Sequence, residues 1–412
     1  MLSELVVLVH AFLDLTPMRS GSVYRRLWFG RAVSGLGGQM TRVAVLFQVW
    51  EATGSAVWTG AVGMAQALPL IVFGLFAGAM VDRRDRRLVY LAAISGQAVC
   101  SVMLAVQALF LHLPVITVLA IVAVQGCFSA AGAPAARTFL PRLLPPEQLA
   151  AGLALTRIGF QGAMLVGPAL GGVVLGVWGV GVCYVVDAVT FCAALFGGFG
   201  LPAMRPEGAV SRPGLRGVFD GLAFLVREPV VRAVLVTDLA ATVLAMPVSL
   251  FPLVNAERFG GDPRTFGLFL SAIAVGGVVA SVLSGTFTRR ARQGVVVLVG
   301  ATAWGGALTV FAFAPSPWAG FGCLAVAGAA DTASVVARST VVQLNTPDVL
   351  LGRVAAAEQI VSQGGPEAGN LRGGLVAAAT TGTVALASGG VACVAIVMLI
   401  GLATPGLRRF RV

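Results

Sequence analysis

Long apolar runs alternate with short polar ones from residue 28 to residue 404. Twelve such runs lie near 28–50, 57–80, 88–111, 115–136, 150–176, 181–200, 231–256, 265–287, 295–314, 317–337, 353–379 and 383–404. A helix of about 20 apolar residues crosses the hydrocarbon core of a bilayer. Lipid offers backbone polar groups no water, so such runs must be helical. The pattern predicts an all-α polytopic membrane protein with twelve transmembrane helices. Pro69, Pro134, Pro168, Pro247 and Pro366 fall inside runs and mark bends or close contacts.

Composition sharpens this. The chain is 58% hydrophobic and 11% charged, with a mean hydropathy of +0.92. A soluble domain carries about 25% charged residues, so a soluble enzyme is excluded. All 28 basic residues are Arg, and the net charge is +11. In a soluble protein that balance points to nucleic acid. Here the arginines cluster in short loops, so no nucleic-acid partner is expected. Six cysteines stand singly without metal-ligand spacing. His10 and His112 lie outside the runs, so no metal and no cofactor are expected. There is no Lys and no phosphate-binding G-x-x-x-x-G-K-[ST], which argues against ATP-driven work.

The arginines set the topology. Twenty-two, from Arg19 to Arg411, fall in one set of loops and termini, and the opposite loops hold only Arg258 and Arg264. Positive loops stay cytoplasmic, so both termini of this plasma-membrane protein are predicted to be inside. The expected layout is a cytoplasmic segment 1–27, a six-helix bundle 28–200, a cytoplasmic linker 201–230, a second bundle 231–404 and a tail 405–412. Residues 1–17 lack a basic start and a cleavage site. They read as an upstream extension or an interfacial segment. Residues 218–227 could form an amphipathic helix on the inner surface.

Three local resemblances connect the halves. Residues from Arg137 parallel those from Arg338, GPALGG from Gly167 parallels GPEAGN from Gly365, and GAMVDRRDRR from Gly78 parallels GTFTRRARQG from Gly285. The near-constant offset predicts two pseudo-symmetric six-helix bundles around a cavity.

With these motifs in view, the chain resembles the major facilitator superfamily over residues 20–412. The stretch Gly78–Arg87 is similar to the family signature G-x-x-x-D-R-x-G-R-R. Asp85 stands where the second glycine usually does. The segments from Ser34, from Asp238 and near Gly365 resemble the enterobactin-exporter-like and macrolide-efflux-like branch. The resemblance implies that Gly78, Asp82, Arg83, Arg86 and Arg87 form an inner gate. The plainer alternative is a topology-fixing loop. GPALGG (Gly167, Pro168, Gly171, Gly172) resembles part of an exchanger motif G-x-x-x-G-P-x-x-G-G, with Ala163 for its first glycine; ordinary close packing is the alternative.

Charges at membrane depth are costly unless paired or hydrated. The candidates for coupling or for the cavity are Arg31, Arg42, Asp187, Asp238, Asp331, Glu367 and Arg372, with Glu358 beside them. Arg31 and Arg42 are eleven residues apart, which returns to within about 20° on a helix. Gly35 and Gly38 share that stripe, giving one basic, small-residue face suited to a cavity wall. Asp187 and Glu367 are expected to carry protons. Asp187 could instead pair with a buried Arg, and Glu367 could satisfy the backbone of a broken helix.

The expected function is a monomeric secondary transporter exporting a small amphipathic molecule, siderophore-like or drug-like, by alternating access with proton antiport. A proton-coupled importer and a non-transporting receptor are the alternatives.

Overall fold

The computed structural model describes residues 14–81, 84–111, 113–204, 223–284, 292–347 and 350–410. Among these residues the chain is helical and contains no strand. Twelve long helical segments follow one another: α1 Ser22–Thr53, α2 Ala56–Val81, α3 Arg86–Leu111, α4 Val115–Arg137, α5 Pro146–Trp178 and α6 Val180–Phe199. Then come α7 Pro229–Arg258, α8 Pro263–Val282, α9 Gln293–Phe311, α10 Pro317–Leu344, α11 Leu351–Ala379 and α12 Gly382–Ala403. Nine of them, all but α1, α2 and α11, are long and apolar enough to span a membrane by the described residues alone. The protein is a multi-pass membrane protein.

Local chemistry sets the turns. Gly54, at φ +57°, ends α1 and returns its N–H to the Trp50 carbonyl, a left-handed C-cap that glycine adopts without strain. Asp262 caps α8 by accepting from the Arg264 N–H, with Pro263 in the first turn. Ser316 and Thr381 cap α10 and α12 through the Ala319 and Val384 N–H groups.

Packing repeats with a shift of six helices. In the first half α1 packs on α5 and α6, α2 on α4, and α3 on α4 and α6. In the second half α7 packs on α11 and α12, α8 on α10, and α9 on α10 and α12. The halves meet where α2 packs on α11 and α5 on α8, contacts that the same shift exchanges. This is the pseudo-twofold arrangement of two six-helix bundles.

Two ends can be told apart. Tyr24 at the start of α1 donates to the Gly152 carbonyl at the start of α5, and the backbone of Arg86 at the start of α3 bonds that of Met204 beyond α6. The C-terminal helix Pro405–Arg409 follows α12 and packs against Gly294 in the first turn of α9. This near end therefore holds both chain ends of the described structure. The far end holds the starts of α2, α8 and α12 and the end of α11.

Several expectations need correcting. α1 begins at Ser22, a turn and a half before the apolar run. α10 continues to Leu344, seven residues past its run, which carries Arg338 out of the loop and into the helix. Leu201 and Met204, at the start of the linker 201–230, are buried against the first half. Of 218–227, only 223–227 are described, and they are helical.

Candidate functional site

A cavity of 490 Å³ lies on the near-end side of the first half, walled by α1, α2, α3, α4 and α6. Arg31, Gly35, Gly38 and Arg42 all line it, so the stripe on α1 forms one wall. Gln39, Gln66, Gln97 and Gln125 add four amides, while Tyr90, Ile94, Val122 and Phe191 supply apolar surface. No carboxylate is among the described lining residues. Arg31 has no ion pair among the described residues.

Beyond the cavity the halves are locked by a continuous chain of polar contacts. Arg42 Nη2 on α1 lies 3.9 Å from Glu367 Oε1 on α11. Asn370 Nδ2 donates to Glu367 Oε2 at 2.9 Å. Asn370 Oδ1 accepts from the Ser249 N–H of α7 at 3.1 Å, and Ser249 Oγ donates to the Asn370 carbonyl at 2.8 Å. Thr59 Oγ1 on α2 donates to the Ser249 carbonyl at 2.8 Å, returning the chain to the first half. A side chain at Gly63 would collide with Glu367, and one at Gly374 with the Ala56 carbonyl. Small residues on α2 and α11 therefore let the lock close.

The α5 motif makes the second contact between halves. Gly167 and Gly171 face α1, at Gln39 and at Met40 and Val43. Gly172 faces α8: an added Cβ would lie 2.7 Å from the Pro263 carbonyl and 3.0 Å from the Gly267 Cα. The Pro168 carbonyl occupies the equivalent space at Gly267. Ala163, in place of the motif's first glycine, still meets Gly35 closely.

α7 is broken, with a π-helical turn at Ala240–Leu244 and a 3-10 turn at Val248–Leu250 on either side of Pro247. The carbonyls released there are taken up by side chains, as buried polar groups require. Arg372 Nη1 donates to Leu244 O at 2.5 Å and Trp304 Nε1 to Ala245 O at 3.2 Å.

A separate charge cluster occupies the near-end half of the second bundle. Arg338, only 7% exposed, pairs with Asp238 and lies 3.4 Å from Glu358 Oε1. Asp331, half-buried one to two turns away on α10, interacts electrostatically with Asp238 and Arg338. One guanidinium thus pairs with two carboxylates, and a third lies two turns before it on the same helix. Counting Arg338 as a loop charge concealed its role.

The transmembrane secretion effector family matches residues 13–408. The chain belongs to this family of the major facilitator superfamily. A multidrug efflux pump, Tap, of Mycolicibacterium fortuitum is 30% identical over 302 residues, covering 70% of this chain and 72% of the pump. The enterobactin exporter EntS of Shigella boydii is 26% identical over 404 residues, covering 97% of this chain and 96% of the exporter. Among solved structures, a POT family transporter in complex with 5-aminolevulinic acid superposes with a TM-score of 0.77 at 11% identity, covering 94% of this chain and 97% of that one. A bacterial homologue of ferroportin in an inward-facing state gives 0.70 at 15% identity, covering 94% and 98%. The family is one of transporters and not of enzymes.

In this major facilitator protein the signature loop is only partly described. Asp82 and Arg83 lie outside the described residues, and Gly78 lies in the last turns of α2. Asp85, unremarkable in the sequence except as a lost glycine, is the N-cap of α3: its Oδ1 accepts from the Arg87 N–H at 2.9 Å and the Met204 N–H at 3.1 Å. Arg87 Nη2 donates to the Phe199 carbonyl at the end of α6, at 3.0 Å. These contacts stay within the first half.

Asp187 is fully buried on α6, apart from the cavity lining. It accepts from Ser101 Oγ at 2.7 Å, which in turn accepts from Gln125 at the cavity wall. A hydroxyl, and no arginine, is the hydrogen-bond partner its carboxylate has among the described residues. A second polar cluster escaped the sequence entirely: Gln48 and Gln107 exchange amide hydrogen bonds, and the Tyr184 hydroxyl donates to Gln48 Oε1 at 2.8 Å. Uncharged residues inside apolar runs gave no signal for it.

Proposed function

We propose that the protein is a secondary active exporter in the cell membrane, moving a small amphipathic molecule by alternating access in exchange for protons. The near end, with its arginine-rich loops, faces the cytoplasm. The cavity is then open to cargo from inside while the far-end lock shuts off the exterior. The two bodies that rock are the bundles 28–200 and 231–404, joined by 201–230. One chain supplies both faces of each contact, so a monomer suffices.

The observation that carries this reading is the place of the cavity on the near-end side of a polar lock between halves. The relatives, an enterobactin exporter and a multidrug pump, favour a siderophore-like or drug-like cargo. Proton exchange is favoured by carboxylates in excess over arginine at membrane depth, at Asp238, Asp331 and Glu358. The signature loop, with Asp82 and Arg83, would form the inner gate when the far end opens.

Reconstituted proteoliposomes test this. Cargo should move against its gradient while a proton gradient is applied and stop when that gradient is collapsed. Entry of cargo together with protons would make the protein an importer and overturn the proposal.

A further inference from the structure

The cavity wall carries a chemical preference that the export reading leaves open. Arg31 and Arg42 face the same space, and among the described residues no carboxylate lines it. Arg42 has one distant partner, Glu367 at 3.9 Å, on the other side of the lock. Arg31 has none among the described residues. Gln39 and Gln66, from α1 and α2, likewise have no side-chain hydrogen-bond partner among the described residues and line the same wall. One cation without an ion pair among the described residues, a second held only by Glu367 across the lock, and two amides therefore meet one cavity. An unanswered cation at this depth is costly. A bound anion repays that cost, and guanidinium forks suit planar oxygen anions best.

We propose, on the basis of the export reading above, that the cargo is an elongated amphipathic anion whose carboxylate or similar oxygen anion is held on the stripe between Arg31 and Arg42. Eleven residues of helix separate the two by about 16 Å along the axis. Each side chain spans part of that distance, so the anionic group lies between the guanidinium groups while the apolar remainder packs on Ile94, Val122 and Phe191. The amides of Gln39 and Gln66 donate to its remaining acceptors. Because Arg42 belongs to both the cavity and the lock, the same anion draws Arg42 from Glu367. Loading of the cavity thereby weakens the contact that keeps the far end shut.

Three dansyl compounds test the charge assignment with one fluorophore: dansylglycine (anion), its methyl ester (neutral) and dansylcadaverine (cation). With the full-length protein in nanodiscs, dansylglycine should bind saturably and about tenfold more tightly than either of the others. Arg31→Gln and Arg42→Gln should each lower that affinity by about tenfold, and Arg31→Lys, which keeps the charge, should retain most of it. Equal or tighter binding of the ester or of dansylcadaverine, no saturable dansylglycine binding, or an affinity unchanged by Arg31→Gln overturns the proposal. Movement into energised everted vesicles separates this from the export reading. Pumping of dansylcadaverine that survives Arg31→Gln would leave export standing and remove the anion site. Arginine-dependent binding of dansylglycine without movement of any of the three would do the reverse.

Discussion

Arg42 on α1 and Glu367 on α11 stand 3.9 Å apart across the two halves, and they are the charged link in the far-end lock. Their side chains are 32% and 14% exposed. A pair so placed contributes about 1 kcal/mol, or roughly fivefold in a two-state population. Glu367→Gln keeps the acceptor for Asn370 and removes only the charge. Spin labels at Ala52 and Thr380, both exposed at the far end on opposite halves, should then report a longer distance in a larger fraction of molecules. An unchanged distribution would mean the pair does not hold the lock.

The α5–α8 crossing should be less forgiving. At Gly267 an added Cβ would lie 2.5 Å from the Pro168 carbonyl and 2.9 Å from the Gly172 Cα. Both are backbone, so neither can turn aside. Gly267→Val should cost the far-end-closed state about 1–3 kcal/mol, as overpacking does. The expected result is normal insertion, reduced export and a far-end label distance shifted to longer values. Gly38→Ala, with nothing within 4 Å of the new Cβ, should insert and fold as the parent does.

Arg338 is expected to matter for folding as much as for transport. Arg338→Gln leaves Asp238 and Glu358 without their cation, and breaking a buried pair this way costs about 3–5 kcal/mol. Thermal unfolding in detergent should show a large loss. Asp238→Asn, which leaves Glu358 at 3.4 Å from Arg338, should cost clearly less. Equal stability of the two variants would remove Arg338 from the centre of the cluster.

Asp85→Ala removes the cap of α3 and the tie to the Met204 N–H. A lost N-cap costs about 1 kcal/mol, and the second bond adds to it. Hydrogen exchange should speed up in the first turn of α3 and at Met204. Asp85→Ser should recover the cap but not the full stability.

These residues also mark how far the sequence could be read. Helix spacing alone put Arg31, Gly35, Gly38 and Arg42 on one face, because that relation lies within a single helix. Apolar run lengths placed the twelve helices, since bilayer thickness is a one-dimensional constraint. Arg338 was misplaced because α10 outlasts its apolar run by two turns, and its burial depends on α7 and α11. The break in α7 was signalled by Pro247, but the partners that complete it, Arg372 and Trp304, come from α11 and α9. Asp85 looked like a missing glycine until the Met204 N–H supplied its second partner. The legible features were local to one helix, and the missed ones needed neighbours far along the chain.

Alternating access is tested most directly by measuring both ends at once in liposomes. One label pair sits at the far end, Ala52 with Thr380, and the other at the near end, Glu147 with Gln343, all exposed positions. Two populations are expected, in which one distance lengthens as the other shortens, with their ratio changed by an imposed proton gradient. Distances that lengthen together, or a near end that never closes while cargo is being exported, would contradict it.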